Sequence, residues 1–64
     1  MRLNGIEREA APGLTLRGLL AELAIDPRKV VVMHGDAIYR AGDVPDAPVA
    51  DTDVIEIVTM MQGG

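Results

Sequence analysis

The sequence predicts an α+β domain in which one amphipathic helix packs on one mixed β-sheet. The helix is indicated by an i, i+3, i+4, i+7 repeat of leucine, at Leu16, Leu19, Leu20 and Leu23. The strands are indicated by short apolar or alternating runs on both sides of that repeat, separated by glycine, proline and aspartate. The 64 residues suit one small domain, which we take to span residues 1–64.

The first half of the chain is predicted to be a hairpin followed by the helix. Residues 1–3 form a strand candidate, and Asn4-Gly5 is typical of a type I′ turn, which needs a positive φ at both central residues. Residues 6–10 are then the returning strand, and the strand ends at residues 11–13. Thr15 is expected to cap the helix, because its hydroxyl can accept a hydrogen bond from an otherwise unpaired N–H. The helix should end before Asp26-Pro27, since the residue before a proline disfavours helical backbone.

The second half is predicted to supply three more strands. The continuous apolar run Val30–Met33 suggests a strand that is covered, at least partly, on both faces. After a turn at residues 34–36 comes a short strand at residues 37–40. Residues 41–48 contain one glycine and two prolines, which favour an ordered loop or at most a 3₁₀ turn. A turn at residues 51–53 leads into the alternating strand Val54–Thr59. This order of elements matches the β-grasp, or ubiquitin-like, fold.

The composition excludes several chemistries. The chain has no cysteine and no serine, so no conventional thiol or hydroxyl triad can form. Its single histidine cannot build a metal site alone, and no glycine-rich loop with Lys-Ser or Lys-Thr is present to bind ATP. We therefore expect a protein that is not itself an enzyme and that binds no metal or cofactor of its own.

The charge and hydropathy of the chain limit the kinds of partner that it can have. A formal net charge of −4 argues against nucleic-acid binding, which needs a basic surface to neutralise phosphates. It fits a partner with a basic surface, or simple solubility. The first residues lack the apolar stretch of a signal peptide, and no run of membrane-spanning length follows. We expect a cytoplasmic protein with no membrane partner.

The most informative feature is the pair Gly63-Gly64 directly after the last strand. Glycines lose much freedom when they are ordered, so the pair is a poor structural ending, and residues 60–64 are expected to form a flexible tail. Extended, these residues span at most about 17 Å, enough to thread into a buried site of a partner. The Gly64 carboxylate is ionised at neutral pH and can attack the α-phosphate of ATP. We therefore assign Gly64 as the reacting residue and Met61, Gln62 and Gly63 as the thread that delivers it.

The last strand also predicts a docking face. Because side chains alternate along a strand, Ile55 and Ile57 should face the helix if Glu56 faces solvent. An apolar patch next to the tail would then accompany Glu56 on the other face, and such patches often mark partner surfaces. Its members would be Val54, Glu56, Val58 and Met60; cover by a loop, or scattered surface side chains, is the alternative.

Other residues that could carry chemistry are interpreted as structural. His34 is expected to be a solvated turn residue, with a partner contact as the alternative. Asp51 and Asp53 are expected to bond local backbone N–H groups at their turn. Tyr39 is expected to pack in or at the rim of the core. Arg40 is interpreted as a surface residue, with a partner contact as the alternative.

Taken together, these residues resemble the ThiS-type sulfur carriers of thiamine biosynthesis, within the wider ThiS/MoaD ubiquitin-like group. The matching segments cover essentially the whole chain: residues 3–5, residues 13–16 leading into Leu19-Leu20, residues 30–32, residues 51–58 and the ending Met61-Gln62-Gly63-Gly64. The resemblance implies that an adenylating enzyme of the ThiF or MoeB type activates Gly64 with ATP and magnesium. It also implies that a cysteine desulfurase or related donor supplies sulfur, and that thiazole synthase takes it from the Gly64 thiocarboxylate.

The chain departs from the family pattern at three places. Thr52 stands where the family usually has glycine between the two aspartates. A β-branched residue disfavours positive φ, so this turn must differ or carry strain. His34-Gly35 stands where the family often has Asn-Gly, and Tyr39-Arg40 where it has Pro-Arg. None of these departures lies in the tail, so they leave the carrier chemistry intact. They weaken the assignment to thiamine specifically.

Several functions stay open from the sequence. The same carrier chemistry could serve another acceptor, such as a tRNA base or molybdopterin. A ubiquitin-like modifier would join Gly64 to a target lysine and yield an isopeptide conjugate. A plain interaction module would have an inert tail and would survive deletion of Gly63-Gly64.

Overall fold

The computed structural model describes residues 1–59, in which one helix packs on one face of a five-stranded mixed sheet. The strand order is β2-β1-β5-β3-β4, with β1 and β5 parallel and the other neighbours antiparallel. The predicted β-grasp arrangement is confirmed. In chain order the elements are β1 (Arg2–Leu3), β2 (Ile6–Glu7), α1 (Leu16–Glu22), a 3₁₀ turn (Pro27–Lys29), β3 (Val30–His34), β4 (Ala37–Tyr39) and β5 (Val54–Thr59).

The first hairpin turns as its sequence predicts. Asn4 and Gly5 have φ values of 50° and 83°, so both central residues are left-handed, as a type I′ turn needs. The returning strand is shorter than the predicted residues 6–10, because β2 covers only Ile6–Glu7. Beyond β2, Arg8 N–H donates to the Met1 carbonyl at 2.9 Å and the Met1 amino group donates to the Arg8 carbonyl at 2.8 Å.

Helix α1 begins and ends through specific local contacts. The Thr15 hydroxyl accepts a hydrogen bond from Gly18 N–H at 3.1 Å, which confirms the predicted N-cap. A methyl group on Gly18 would lie 3.2 Å from that hydroxyl oxygen, so glycine gives the cap room. At the other end, Ile25 N–H bonds the Leu20 carbonyl across Ala24, which has a φ of 57°. This is a Schellman ending with alanine at the left-handed position that usually holds glycine.

The buried core lies between α1 and the inner face of the sheet. It contains Leu16, Leu19 and Leu20 from the helix and Val30, Val32 and Ile55 from the central strands, all 2% exposed or less. Tyr39 is half-buried against this core, as the sequence predicted.

The segment between β4 and β5 has no regular secondary structure beyond one isolated bridge, in agreement with the predicted loop. It is held to α1 by main-chain bonds from Leu16 N–H to the Ala47 carbonyl at 2.8 Å and from Val49 N–H to the Leu14 carbonyl at 2.9 Å. Arg17 donates to the Val44 carbonyl at 3.0 Å, and the Val44 side chain is buried in the core. The loop therefore closes the core at the start of the helix.

The 3₁₀ turn before β3 was not predicted. Asp26 caps it by accepting from the Arg28 N–H at 2.9 Å and from the Arg28 guanidinium at 3.1 and 3.0 Å. The side-chain bonds from Arg28 are the main cause that lowers the pKa of Asp26 to about 2. In residues 1–59, no helix is long and apolar enough to cross a membrane.

Candidate functional site

Strand β5 connects the sheet to the residues for which the sequence predicts chemistry. Its last residue, Thr59, is also the last that the structure describes. The predicted tail and reacting residue, Met61, Gln62, Gly63 and Gly64, lie outside the described residues, and so does Met60 of the predicted docking face. The site that the structure describes is therefore β5 and the surface around it.

The side chains of β5 alternate between the two faces as predicted. Ile55 is 0% exposed in the core and Ile57 is half-buried against it. Val54 and Val58 are 51% and 49% exposed, and Glu56 between them is also exposed. None of the described residues covers this side of the strand as fully as α1 covers the other. The docking role of these side chains remains a prediction.

The open surface is wider than the sequence predicted. Val31 pairs with Val58, Met33 pairs with Glu56, and Ile38 pairs with Met33; directly opposite residues share a face. Val31 and Met33 are half-buried, and Ile38 is 68% exposed. We call the side of the sheet away from α1 the outer face, and define it by Val31, Met33, Ile38, Val54, Glu56 and Val58.

The interpretation of Val30–Met33 as a strand covered, at least partly, on both faces is confirmed, but the two faces are covered unequally. Val30 and Val32 are 2% and 1% exposed, whereas Val31 and Met33 on the other side are only partly covered. The count of helices could have predicted this difference between the two faces. One helix can cover one face of a sheet, so an apolar strand in its centre must present its other side chains outward.

Glu56 is the acidic member of the outer face. Its strand neighbours on that face are Val54 and Val58, and its cross-strand neighbour is Met33. The ion pairs among residues 1–59 are Arg2–Glu7, Asp26–Arg28 and His34–Asp53, and none of them includes Glu56. Arg2 lies opposite Val54 and so shares this face, but its ion pair is with Glu7. A partner that covers the outer face would therefore take out of water a carboxylate that has no ion-pair partner among residues 1–59.

Asn4 contacts the edge of β5 that faces β1. Ile57 N–H donates to Asn4 Oδ1 at 2.8 Å, and Asn4 Nδ2 donates to the Ile57 carbonyl at 3.4 Å. Sequence reasoning gave Asn4 only a turn role. The two residues are 53 positions apart, so no local pattern indicated this contact.

The start of β5 is held by a second side-chain contact that corrects the interpretation of His34. His34 ends β3 instead of lying in a solvated turn, and its Nε2 lies 2.7 Å from Asp53 Oδ2. The Ala50 N–H donates to the same oxygen at 2.9 Å. That backbone bond, and then the bond from His34, lower the pKa of Asp53 below its usual value. The predicted turn role of Asp53 is confirmed.

The turn before β5 accommodates Thr52 without left-handed backbone. In residues 1–59 the non-glycine residues with positive φ are Asn4 and Ala24, and Thr52 is not among them. Of the two outcomes that the sequence left open, a different turn is the correct one. The predicted local role of Asp51 was wrong, because its Oδ1 accepts at 3.4 Å from the N–H of Ala10, which is 41 positions away in the sequence.

Comparison with known proteins identifies the family. A sequence model of the ThiS family matches residues 1–64. The chain belongs to the ThiS family. The resemblance inferred from its residues and the β-grasp fold are thereby confirmed.

Relatives of this ThiS-family chain are of two kinds. It is 39% identical over 62 residues to the sulfur carrier protein ThiS of Thermus thermophilus, covering 97% of this chain and 95% of that protein. It is also 37% identical over 62 residues to a thiazole synthase of Paramagnetospirillum magneticum and 36% identical over 64 residues to a thiazole synthase of Magnetococcus marinus. Those matches cover 97% and 100% of this chain but only 19% and 20% of the two synthases. The chain thus spans about a fifth of each synthase.

Proposed function

We propose that this ThiS-family chain is a sulfur carrier whose Gly64 becomes a thiocarboxylate that donates sulfur to thiazole synthase in thiamine biosynthesis. The observation that carries the proposal is the similarity to the Thermus sulfur carrier over nearly the full length of both chains. Activation is assigned to an adenylating enzyme of the ThiF or MoeB type, which uses ATP and magnesium. The chain itself supplies a carboxylate and a docking surface.

The chemistry needs two steps at Gly64. In the first, a carboxylate oxygen attacks the α-phosphorus of ATP and pyrophosphate leaves, which gives an acyl adenylate. In the second, a sulfur nucleophile attacks the acyl carbon and AMP leaves; with sulfide as the nucleophile the product is the thiocarboxylate and one proton. A cysteine desulfurase-type donor is the proposed source of sulfur in the cell. Glycine at positions 63 and 64 leaves the acyl carbon without steric cover.

The assignment of thiazole synthase as the acceptor rests on the two relatives of that name. In each of them a stretch as long as this chain, and 36–37% identical to it, makes up only about a fifth of the protein. A carrier-like segment within the same polypeptide would act at high effective concentration on the rest of that polypeptide. This favours thiazole synthase over a tRNA base or molybdopterin as the acceptor of the separate carrier.

The outer face is the proposed docking surface for the adenylating enzyme. Its apolar members surround Glu56, and the last described residue of β5 directly precedes the predicted tail. A partner fits this surface if it presents an apolar patch with one cationic side chain opposite Glu56. A buried carboxylate is costly unless it is paired, so this pairing would select the partner as well as hold it.

The intact mass of the chain tests the carrier chemistry. We would incubate it with a ThiF-type adenylating enzyme, ATP, magnesium and sulfide, beside a control chain that lacks Gly63 and Gly64. The expected result is a mass increase equal to the difference between sulfur and oxygen, in the full chain only. An unchanged mass, with the enzyme active on its own carrier, would contradict the proposal.

The acceptor requires a second measurement on the product. Thiocarboxylate chain that carries labelled sulfur is added to thiazole synthase and its other substrates, and the thiazole is analysed for the label. Labelled thiazole is expected. Thiocarboxylate that stays intact beside an active synthase would leave the carrier chemistry standing and reject this acceptor. A conjugate through a lysine of another protein would instead support the modifier alternative.

A further inference from the structure

Asn4 lies where β1 leaves β5. The two strands are bonded through Arg2 N–H to the Asp53 carbonyl and through Asn4 N–H to the Ile55 carbonyl, both at 2.9 Å. The next backbone groups of β5 on this edge belong to Ile57, because alternate residues of a strand point to the same neighbour. The main chain of β1 cannot reach them, since it turns away at Asn4 and Gly5 with positive φ.

The Asn4 side chain takes the place of the missing strand. Its Oδ1 accepts from Ile57 N–H at 2.8 Å, and its Nδ2 donates to the Ile57 carbonyl at 3.4 Å. One side-chain amide thus pairs with both backbone groups of one residue, which in a longer parallel β1 would bond to two successive peptide groups. The ladder on this edge of β5 is extended by one residue without any further β1 backbone.

The turn alone does not require this side chain. Glycine adopts the left-handed φ of 50° more easily than asparagine and is also favoured at that position of a type I′ turn. What asparagine adds is the contact with Ile57. On the opposite edge, Val58 and Thr59 pair with Val31 and Val30, so β5 is held from both sides up to Ile57.

We propose that Asn4 is a positioning residue of the carrier reaction: by bonding both backbone groups of Ile57, it fixes the direction in which β5 delivers the chain toward Gly64. The inference rests on the proposed function. Asn4 acts through the backbone of Ile57 and is not one of the residues that define the outer face, so it should affect the reaction of a docked carrier more than docking itself. Small errors in the position of a reacting group can cost large factors in rate.

Three variants separate this role from stability. Asn4→Gly keeps the turn and removes the amide. Asn4→Asp keeps the turn and an acceptor for Ile57 N–H but loses the donor to the Ile57 carbonyl, so it provides a second, closely matched variant. Thr15→Ala removes the N-cap of α1 and serves as the control, because it destabilises the fold by breaking a hydrogen bond to Gly18 in the helix.

Two readouts are needed, both at a temperature where circular dichroism shows every variant folded. The first is hydrogen exchange at the Ile57 amide, which should be faster in Asn4→Gly and recover in Asn4→Asp. The second is steady-state formation of the acyl adenylate by a ThiF-type enzyme. For Asn4→Gly we expect kcat to fall about tenfold or more while KM stays within about twofold. Asn4→Asp should recover part of kcat, and Thr15→Ala should change neither constant by more than about twofold.

The outcomes distinguish the two proposals. An Ile57 amide that exchanges in Asn4→Gly as it does in the unmodified chain would overturn the inference, because the contact would hold nothing. A kcat of Asn4→Gly equal to that of Thr15→Ala would also overturn it. If the unmodified chain itself forms no acyl adenylate, the proposed function fails, and the positioning role fails with it even if the Ile57 contact is found.

Discussion

His34 Nε2 lies 2.7 Å from Asp53 Oδ2, and this contact joins the end of β3 to the turn that begins β5. The same carboxylate oxygen accepts the Ala50 N–H at 2.9 Å. The side chains of His34 and Asp53 are 16% and 27% exposed, so both are largely shielded from solvent. The backbone bond, followed by the bond from His34, holds the pKa of Asp53 below the ordinary value of 3.8.

The pH dependence follows from that direction. A carboxyl group whose pKa is lower in the folded state stabilises the fold above its unfolded pKa, and the contribution is lost as pH falls through the folded pKa. Asp53→Asn should therefore lower the free energy of unfolding at about pH 7 by about 1 kcal/mol, through the weakened bonds to Ala50 and His34. Between about pH 4 and pH 2, the free energy of unfolding of Asp53→Asn should fall by less than that of the unmodified chain.

Urea unfolding followed at several pH values checks this prediction. Asp46→Asn, at an exposed position of the loop before β5, controls for the change in net charge. Parallel pH curves for Asp53→Asn and the unmodified chain would show that the carboxylate at position 53 contributes nothing to acid sensitivity.

Ala24 gives a prediction about helix termination. It has a φ of 57° at the Schellman position of α1, where an L-residue pays about 1–2 kcal/mol for left-handed backbone. Ala24→Gly removes this cost and increases the entropy of the unfolded chain, which offsets part of the gain. The net result should be a stabilisation of about 0.5–1 kcal/mol, measured by thermal or urea unfolding.

The matched control for Ala24→Gly is the same substitution inside the helix. Ala21 is exposed within α1, so Ala21→Gly should destabilise the fold by about 1 kcal/mol. Opposite signs at positions 21 and 24 are expected. A loss of stability at both would mean that residue 24 does not adopt left-handed backbone in solution.

Local features of the fold could be predicted from the sequence because they depend on neighbouring residues. The Asn4-Gly5 turn, the Thr15 cap and the alternation of β5 each follow from the conformational preferences of one short segment. The contacts of Asn4 with Ile57 and of His34 with Asp53 could not be predicted this way. They join residues 53 and 19 positions apart, which only the strand order brings together.

In the candidate site, too, the sequence predicts what depends on one strand and misses what depends on the pairing of strands. The alternation predicted that Val54, Glu56 and Val58 share one face, and this is confirmed. Ile38 was missed because its place beside Met33 depends on the register between β3 and β4. Hydrophobicity alone also could not tell which half of the Val30–Met33 run is covered.

The two faces of the sheet should respond differently to the same substitution. Val32 is 1% exposed on the inner face, whereas Val58 is 49% exposed on the outer face. Threonine has nearly the shape of valine, so Val→Thr adds a hydroxyl at almost constant volume. Val32→Thr should cost about 1–3 kcal/mol of unfolding free energy, because the hydroxyl is buried without a dedicated partner. Val58→Thr should change stability by at most about 0.5 kcal/mol.

Chemical denaturation of the two variants measures this difference. Similar losses for Val32→Thr and Val58→Thr would mean that both faces are covered in solution, for instance by self-association. The oligomeric state of the unmodified chain, measured at several concentrations, would then show whether a second copy covers the outer face. The two variants thus test whether the outer face is exposed to solvent before any partner is added.

Charge reversal at Glu56 tests what kind of partner the outer face accepts. If the adenylating enzyme places a cation opposite this carboxylate, Glu56→Lys brings two like charges together in a desolvated contact. The expected result is a rise in KM for adenylation of about tenfold or more, with kcat changed little, because docking is weakened and the tail is untouched. The control is Glu22→Lys, which makes the same change in net charge at an exposed position of α1, on the other side of the sheet from the outer face.

The comparison of the two reversals separates a local contact from long-range attraction. Charges farther apart than about 10 Å are largely screened at 0.1 M salt, so the effect of Glu56→Lys should persist there while that of Glu22→Lys should be small. Equal KM values for the two variants at that salt would reject a cation opposite Glu56. The outer face would then dock through its apolar side chains alone, and Val58→Thr would be expected to weaken adenylation more than Glu56→Lys does.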